Sequence, residues 1–184
     1  MKLICRALLV CLAFGCSPTP RRSSPAVAAA LDSFVPGVRI GSRAAPAAKR
    51  LHLTFWPYAG YADTTFHETH GVRGLVLRIN ESLDSEGQRP SWWARISEVG
   101  IAFVTRDGAD SARQLLTRQL GVPRAFCYVA GDEQSRISLY FWPDRMPRGV
   151  LLTMPLQSAG RPFLTFGAIE PDSNRSAPAQ CDAA

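Results

Sequence analysis

The fold is decided by one helix and two strands in the second half of the chain. This stretch reads DSARQLLTRQL (110–120), GVPR (121–124), AFCYVA (125–130), GDEQSR (131–136) and ISLYFW (137–142). Three leucines give the first segment an apolar stripe with helical spacing, Asp107 or Asp110 is available as its N-cap, and Gly121 followed by Pro123 ends it. The two apolar segments that follow predict strands, and Gly131-Asp132 between them predicts a hairpin.

Outward from this stretch, strand-like segments dominate the chain. Further strands are predicted at residues 51–58, 72–79, 92–104, 149–154 and 163–169. Two short alanine-rich helices precede them. The first begins at Ser24-Pro25 and ends before Pro36-Gly37, and the second is capped by Ser42. This order predicts an α+β fold in which one to three helices pack on one face of an antiparallel sheet.

Two parts of the chain share a weak internal similarity. TFWP (54–57) precedes RGLVL (73–77), and YFWP (140–143) precedes RGVLL (148–152). One interpretation is a pair of duplicated helix-plus-hairpin units at residues 42–80 and 109–155, with residues 58–72 inserted as a long exposed loop in the first. The other is a chance likeness between two ordinary aromatic strands.

The first 16 residues have the layout of a secretory signal peptide. Lys2 and Arg6 precede an apolar run at residues 7–14 that is too short to cross a bilayer. The segment ends in Ala13-Phe14-Gly15-Cys16. This ending resembles the lipobox of bacterial lipoproteins. The resemblance implies an acylated Cys16 (diacylglycerol and palmitate) as the mature N-terminus. Cleavage by an ordinary signal peptidase and a retained uncleaved anchor remain the alternatives.

The resemblance also implies a location, and the composition of the remaining chain predicts a domain plan. A serine after the lipid cysteine suits the periplasmic side of the outer membrane if the host has two membranes. Residues 17–24 then form a tether, 25–170 a single domain and 171–184 an irregular tail. At the level of element order, the domain resembles small envelope lipoproteins and secreted inhibitors that pack helices on one face of an antiparallel sheet, sometimes twice over.

The cysteines and the charges indicate the redox environment of the protein and the kind of partner it binds. With Cys16 acylated and the signal peptide removed, Cys127 and Cys181 remain, and we expect them to form a disulfide in an oxidising envelope. Two unpaired thiols are the alternative. The chain has 21 Lys and Arg against 15 Asp and Glu, so loss of Lys2 and Arg6 leaves 19 − 15 = +4. These basic residues are scattered, which argues against a nucleic-acid partner.

Catalytic chemistry finds little support in the sequence. His67 and His70 are the weak candidates for a metal site, but their spacing is one residue shorter than in the zinc-protease motif. No catalytic residues and no cofactor are predicted, because the motifs of serine or cysteine nucleophiles and phosphate-binding loops are absent from the sequence.

Aromatic residues offer the better functional candidates. Trp56, Tyr58 and Tyr61 cluster where the predicted strand 51–58 meets the following loop, and Trp92 begins another predicted strand. Exposed rings at such positions can anchor a partner or stack on sugars; capping the ends of the core is the alternative. We therefore predict a non-catalytic, membrane-anchored envelope lipoprotein that binds an envelope protein or a cell-wall glycan. The alternatives are a small metal-dependent hydrolase using His67 and His70, and a module for a small apolar ligand held between helix and sheet.

Overall fold

A computed structural model describes residues 22–55, 61–69, 72–79, 94–130, 135–156 and 160–172. Its helices are α1 (Pro25–Asp32), α2 (Ala44–Arg50) and α3 (Arg106–Leu120). Its strands are β1 (Thr54–Phe55), β2 (Tyr61–Thr69), β3 (Val72–Ile79), β4 (Ile96–Phe103), β5 (Arg124–Ala130), β6 (Ser135–Pro143), β7 (Arg148–Pro155) and β8 (Phe163–Ile169). The predicted α+β fold, with helices packed on an antiparallel sheet, is confirmed.

The eight strands form one antiparallel sheet in the order β1-β2-β3-β4-β8-β7-β6-β5. Each half of the chain supplies a helix followed by four strands that pair in sequence, namely α2 with β1–β4 and α3 with β5–β8. The last strands of the two halves pair in the middle, with Val99 opposite Phe166 and Ile101 opposite Leu164. Thus the sheet is continuous across the two halves.

The suggested repeat agrees with this architecture only in part. The two Arg-Gly sequences lie at the start of β3 and β7, which are the third strands of their halves. The two aromatic sequences are not equivalent, because Thr54 and Phe55 form the first strand of one half whereas Trp142 and Pro143 end the second strand of the other. The predicted pairing of a Trp-Pro strand directly with an Arg-Gly strand therefore holds only for β6 and β7.

The prediction of a long exposed loop at residues 58–72 is wrong. Most of this segment is β2, which pairs with β1 on one side and with β3 on the other. The strand was missed because YADTTFHET lacks an alternating apolar pattern. Its threonines nevertheless favour extended backbone, and two neighbouring strands supply the hydrogen bonds. β1 begins at Thr54 rather than at the predicted Leu51, because α2 continues to Arg50 and a turn follows it; residues 56–58 of the predicted strand lie outside the described residues.

The helix boundaries follow local capping chemistry. At the start of α1, the Ser24 hydroxyl accepts a hydrogen bond from the Val27 amide at 3.3 Å, as predicted. Helix α2 begins one residue later than expected and has no side-chain cap, since the Ser42 hydroxyl donates to the Arg39 carbonyl instead. Helix α3 also differs from its prediction. Thr105 caps it, so neither Asp107 nor Asp110 does.

The core lies between the helices and one face of the sheet. Its sheet side is formed by alternate residues of β3, β4, β7 and β8, which are Leu75, Leu77, Val99, Ile101, Val150, Leu152, Leu164 and Phe166. Leu31 of α1 and Leu116 of α3 complete it from the helix side. Trp142 is 1% exposed, and its Nε1 donates to the Gly121 carbonyl at 2.8 Å, which ties the end of α3 to β6. Within the described residues, no helix has the length and apolar character to cross a membrane.

Candidate binding surface

The sheet has a second face, called here the open face, that points away from the helices. Successive strand residues point to opposite faces, so the neighbours of the core residues lie on it. One row crosses four strands: Val76 is opposite Gly100, Gly100 opposite Thr165, and Thr165 opposite Leu151. The core helices pack on the other face, so among the described residues no helix covers this row.

A shallow groove of about 490 Å³ lies over this row. It is lined by Val76, Arg78, Glu98, Gly100, Leu151, Phe163, Thr165, Ala168 and Ile169. Its floor depends on one glycine, because a Cβ built at Gly100 would lie 2.4 Å from Cζ of Phe163. The Phe163 ring therefore lies directly against the backbone of β4, and the groove is smooth and apolar at its centre.

The polar side chains of the groove lie mainly at one border. Arg78 Nε lies 3.6 Å from Glu98 Oε2, and the Arg78 side chain is 64% exposed. Glu98 is 22% exposed, so Arg78 is the member of the pair that is most accessible to a partner. Thr165 adds one hydroxyl. An apolar floor beside a charged border suits recognition of an amphipathic surface, and the lining residues include no nucleophile with a neighbouring base.

Near β5 and β6 the open face is covered by the segment that follows β8. Phe126 and Phe141 are buried there although they point away from the helices. The chain that follows β8 reaches this region, because Glu170 forms an ion pair with Arg124 and the Tyr128 hydroxyl donates to the Asp172 carbonyl. The groove therefore occupies the middle of the sheet and ends where this crossing segment begins.

Cys127 lies in β5 and is 2% exposed. It is disulfide-bonded, and Cys181 lies outside the described residues. The pairing of these two cysteines stays a prediction.

A second cavity, called here the interlayer cavity, lies between the helices and the sheet. Its volume is about 590 Å³, and most of its lining is apolar: Ser33, Phe34, Val35, Pro36, Leu51, Val72, Leu75, Ile101, Phe103, Gly108, Ser111, Ala112 and Leu115. Its floor is nearly sealed from water, since Leu75 and Ile101 are each 1% exposed. The half-buried side chains of Phe34, Leu51 and Leu115 form its mouth.

Most residues predicted as functional lie outside the described residues. They are Cys16, Trp56, Tyr58, His70 and Trp92. Tyr61 and His67 lie in β2. Among the described residues there is no group of three or more His, Cys, Asp or Glu side chains that could hold a metal ion.

The groove residues were missed by sequence reasoning, although a signal was present. RGLVL in β3 and RGVLL in β7 carry apolar residues at consecutive positions rather than alternate ones. Consecutive apolar residues indicate a strand whose two faces are both apolar. In this sheet one face meets the core, so the other had to be an apolar surface.

No protein family, no curated protein and no solved structure matches this chain. Its function therefore has to be inferred from its own residues and geometry.

Proposed function

We propose that this protein is a non-catalytic, membrane-anchored envelope lipoprotein that binds a protein partner through the groove on its open face. The observation that carries the proposal is the groove itself, an apolar surface in the middle of the sheet, on the face opposite the three helices of the described residues. An apolar centre with a polar rim is the usual composition of a protein–protein interface.

The lining favours a protein over a glycan. Sugars are usually held by the flat faces of exposed aromatic rings, whereas this floor consists of aliphatic side chains, a glycine and one phenylalanine packed against it. Trp142, the tryptophan of the described residues, is in the core. The partner that fits has an apolar side chain for the centre and polar groups for Arg78 and Glu98.

The anchor follows from the lipobox-like ending at Cys16. Several acyl chains on one residue hold a protein stably on a membrane, whereas a single chain gives only marginal binding. Replacing Cys16 with serine should release the protein from the membrane fraction or block its processing. Identical fractionation of Cys16→Ser and the wild type would refute the lipoprotein assignment.

A matched pair of charge insertions tests the groove. Leu151→Glu places a carboxylate in its centre, and Ala29→Glu places the same charge on the exposed side of α1. Both lipoproteins would be purified from membranes after mild crosslinking. We expect partners to be lost from Leu151→Glu and kept by Ala29→Glu, with similar melting temperatures for the two variants. An unchanged partner set in Leu151→Glu would contradict the proposal.

A second function is favoured by the interlayer cavity. It has the size of small-molecule pockets, and none of its described lining residues carries a charge, which suits an uncharged apolar ligand. The test is mass spectrometry of the protein under native conditions after purification from its host. Leu115→Trp, which fills the mouth, should abolish any bound mass, and a protein that carries no ligand before or after the substitution would rule this function out.

A further inference from the structure

Three exposed apolar side chains lie at one end of the sheet. Among the described residues the large hydrophobic side chains with high exposure are Val122 at 88%, Ile169 at 61% and Met146 at 52%. Val122 lies two residues before β5, Met146 lies in the turn between β6 and β7, and Ile169 ends β8. Ile169 and the Met146 turn are close together, because Ile169 is opposite Arg148 at the start of β7 and the Glu170 amide bonds to the Pro147 carbonyl. Val122 lies at the same end of the sheet, because Arg124 is opposite Phe141 near the end of β6. We call this region the apolar end.

The chain enters the domain at the same end. The Ser24 amide donates to both carboxylate oxygens of Asp144, at 3.0 and 3.2 Å, and Asp144 lies in the same turn as Met146. Eight residue steps separate Cys16 from Ser24, and a fully extended chain of that length spans about 28 Å at most. If Cys16 is acylated, as in the proposed function on which this step rests, the apolar end is the part of the domain held nearest the bilayer.

The charges at this end favour an anionic surface. Its cationic side chains are Arg22, Arg118, Arg124, Arg145 and Arg148, and its carboxylates are Asp144, Glu170 and Asp172. Five arginines against three carboxylates leave a balance of +2. Two of the carboxylates are already engaged, Asp144 by the Ser24 amide and Glu170 by Arg124. Arg145 is exposed in the turn beside Met146, where it can reach a phosphate headgroup.

We infer that the apolar end docks on the anionic membrane surface that carries the lipid anchor. Val122, Met146 and Ile169 enter the boundary between headgroups and acyl chains, and Arg145 binds lipid phosphates around them. The acyl anchor prevents escape, and the apolar end fixes the orientation of the domain. The strands then stand on the membrane with one end down, and the open face points along the membrane plane.

Depth-sensitive labels test this docking on the intact protein. A single cysteine is introduced at Val122, at Met146 or, as a control, at the exposed Asp107 in the first turn of α3. Each is labelled with an environment-sensitive dye under non-reducing conditions, after reconstitution in phosphatidylethanolamine and phosphatidylglycerol vesicles. We expect blue-shifted emission and quenching by nitroxide-labelled lipid at positions 122 and 146, but not at 107. Water-like emission at 122 and 146, or equal quenching at all three positions, would overturn the inference.

The docking and the anchor are measured separately. Mass spectrometry of the N-terminal peptide reports whether Cys16 is acylated, and the labels report docking for acylated and non-acylated protein alike. In the non-acylated Cys16→Ser protein, Arg145→Gln should weaken binding to phosphatidylglycerol vesicles about fivefold, because it removes the contribution of one basic residue near an anionic surface. It should leave binding to phosphatidylcholine vesicles unchanged. Equal binding of both proteins to anionic vesicles would contradict the role of Arg145.

Discussion

Gly167→Ala should destabilise the protein much more than Gly121→Ala, although both glycines have a positive φ. Gly167 is the extra residue of a bulge in β8, with φ at +83°, and a Cβ there would lie 2.5 Å from the Ser97 carbonyl oxygen of β4. At Gly121, where φ is +88°, no atom lies within 4 Å of the added Cβ. Each alanine costs about 1–3 kcal/mol for its backbone conformation. Only the alanine at 167 adds a steric cost, again about 1–3 kcal/mol, because backbone must move.

Urea denaturation of the two variants and the wild type measures the difference. We expect a loss of about 2–6 kcal/mol for Gly167→Ala and about 1–3 kcal/mol for Gly121→Ala, from the sum of these two costs. In thermal melting, the extra loss corresponds to roughly 2–12 °C, at about 2–4 °C for each kcal/mol in a domain of this size. Equal losses of unfolding free energy in the two variants would refute this reasoning. They would show that the Ser97 carbonyl moves away without destabilising the protein, and that the two halves of the sheet are not tightly packed at this point.

Three further measurements test a hydrogen bond, an ion pair and a disulfide. Trp142→Phe removes the indole hydrogen bond to the end of α3 and should lower the free energy of unfolding by about 1–3 kcal/mol, as measured in urea. The hydrogen bond from Arg39 lowers the pKa of Asp32 below its ordinary value of 3.8. The ionised carboxylate therefore stabilises the folded protein above pH 3.8, and this contribution is lost as the pH falls through the lower pKa of the folded state. A carboxyl NMR titration in which Arg39→Gln leaves the Asp32 midpoint unchanged would contradict this. Non-reducing peptide mapping should find Cys127 joined to Cys181, and two alkylated thiols would disprove that pairing.

Elements with a local signal could be predicted from sequence. Ser24-Pro25 caps α1, Gly121 ends α3, and residues 163–169 form β8, as their own residues indicate. Each of these signals is complete within a few positions of the chain. Side-chain caps and glycines with positive φ act through neighbouring backbone groups, so no knowledge of the tertiary structure is needed.

Elements that depend on distant partners could not be predicted in the same way. β2 has few apolar residues to mark it, and its extended form depends on hydrogen bonds from β1 and β3. Thr105 was missed as a cap because Gly108, near the start of α3, hides the helical pattern there. The same limit applies to the candidate site. Val76 and Leu151 are 75 positions apart in the chain, and only the pairing of β4 with β8 brings them to one row of the open face.

The proposed contact surfaces meet at Ile169, and this makes their roles separable. Ile169 lines the groove and also belongs to the apolar end, whereas Leu151 lies only in the groove and Val122 only at that end. Leu151→Glu should therefore abolish partner binding and leave membrane docking intact, and Val122→Ser should do the reverse. Ile169→Ser should weaken both, because in the proposed orientation the groove opens beside the membrane surface. In that orientation a bound partner would lie close to the bilayer, which predicts a membrane-bound rather than a freely diffusing protein. Capture of the same partner from a membrane-free soluble fraction by the wild-type protein would refute this arrangement.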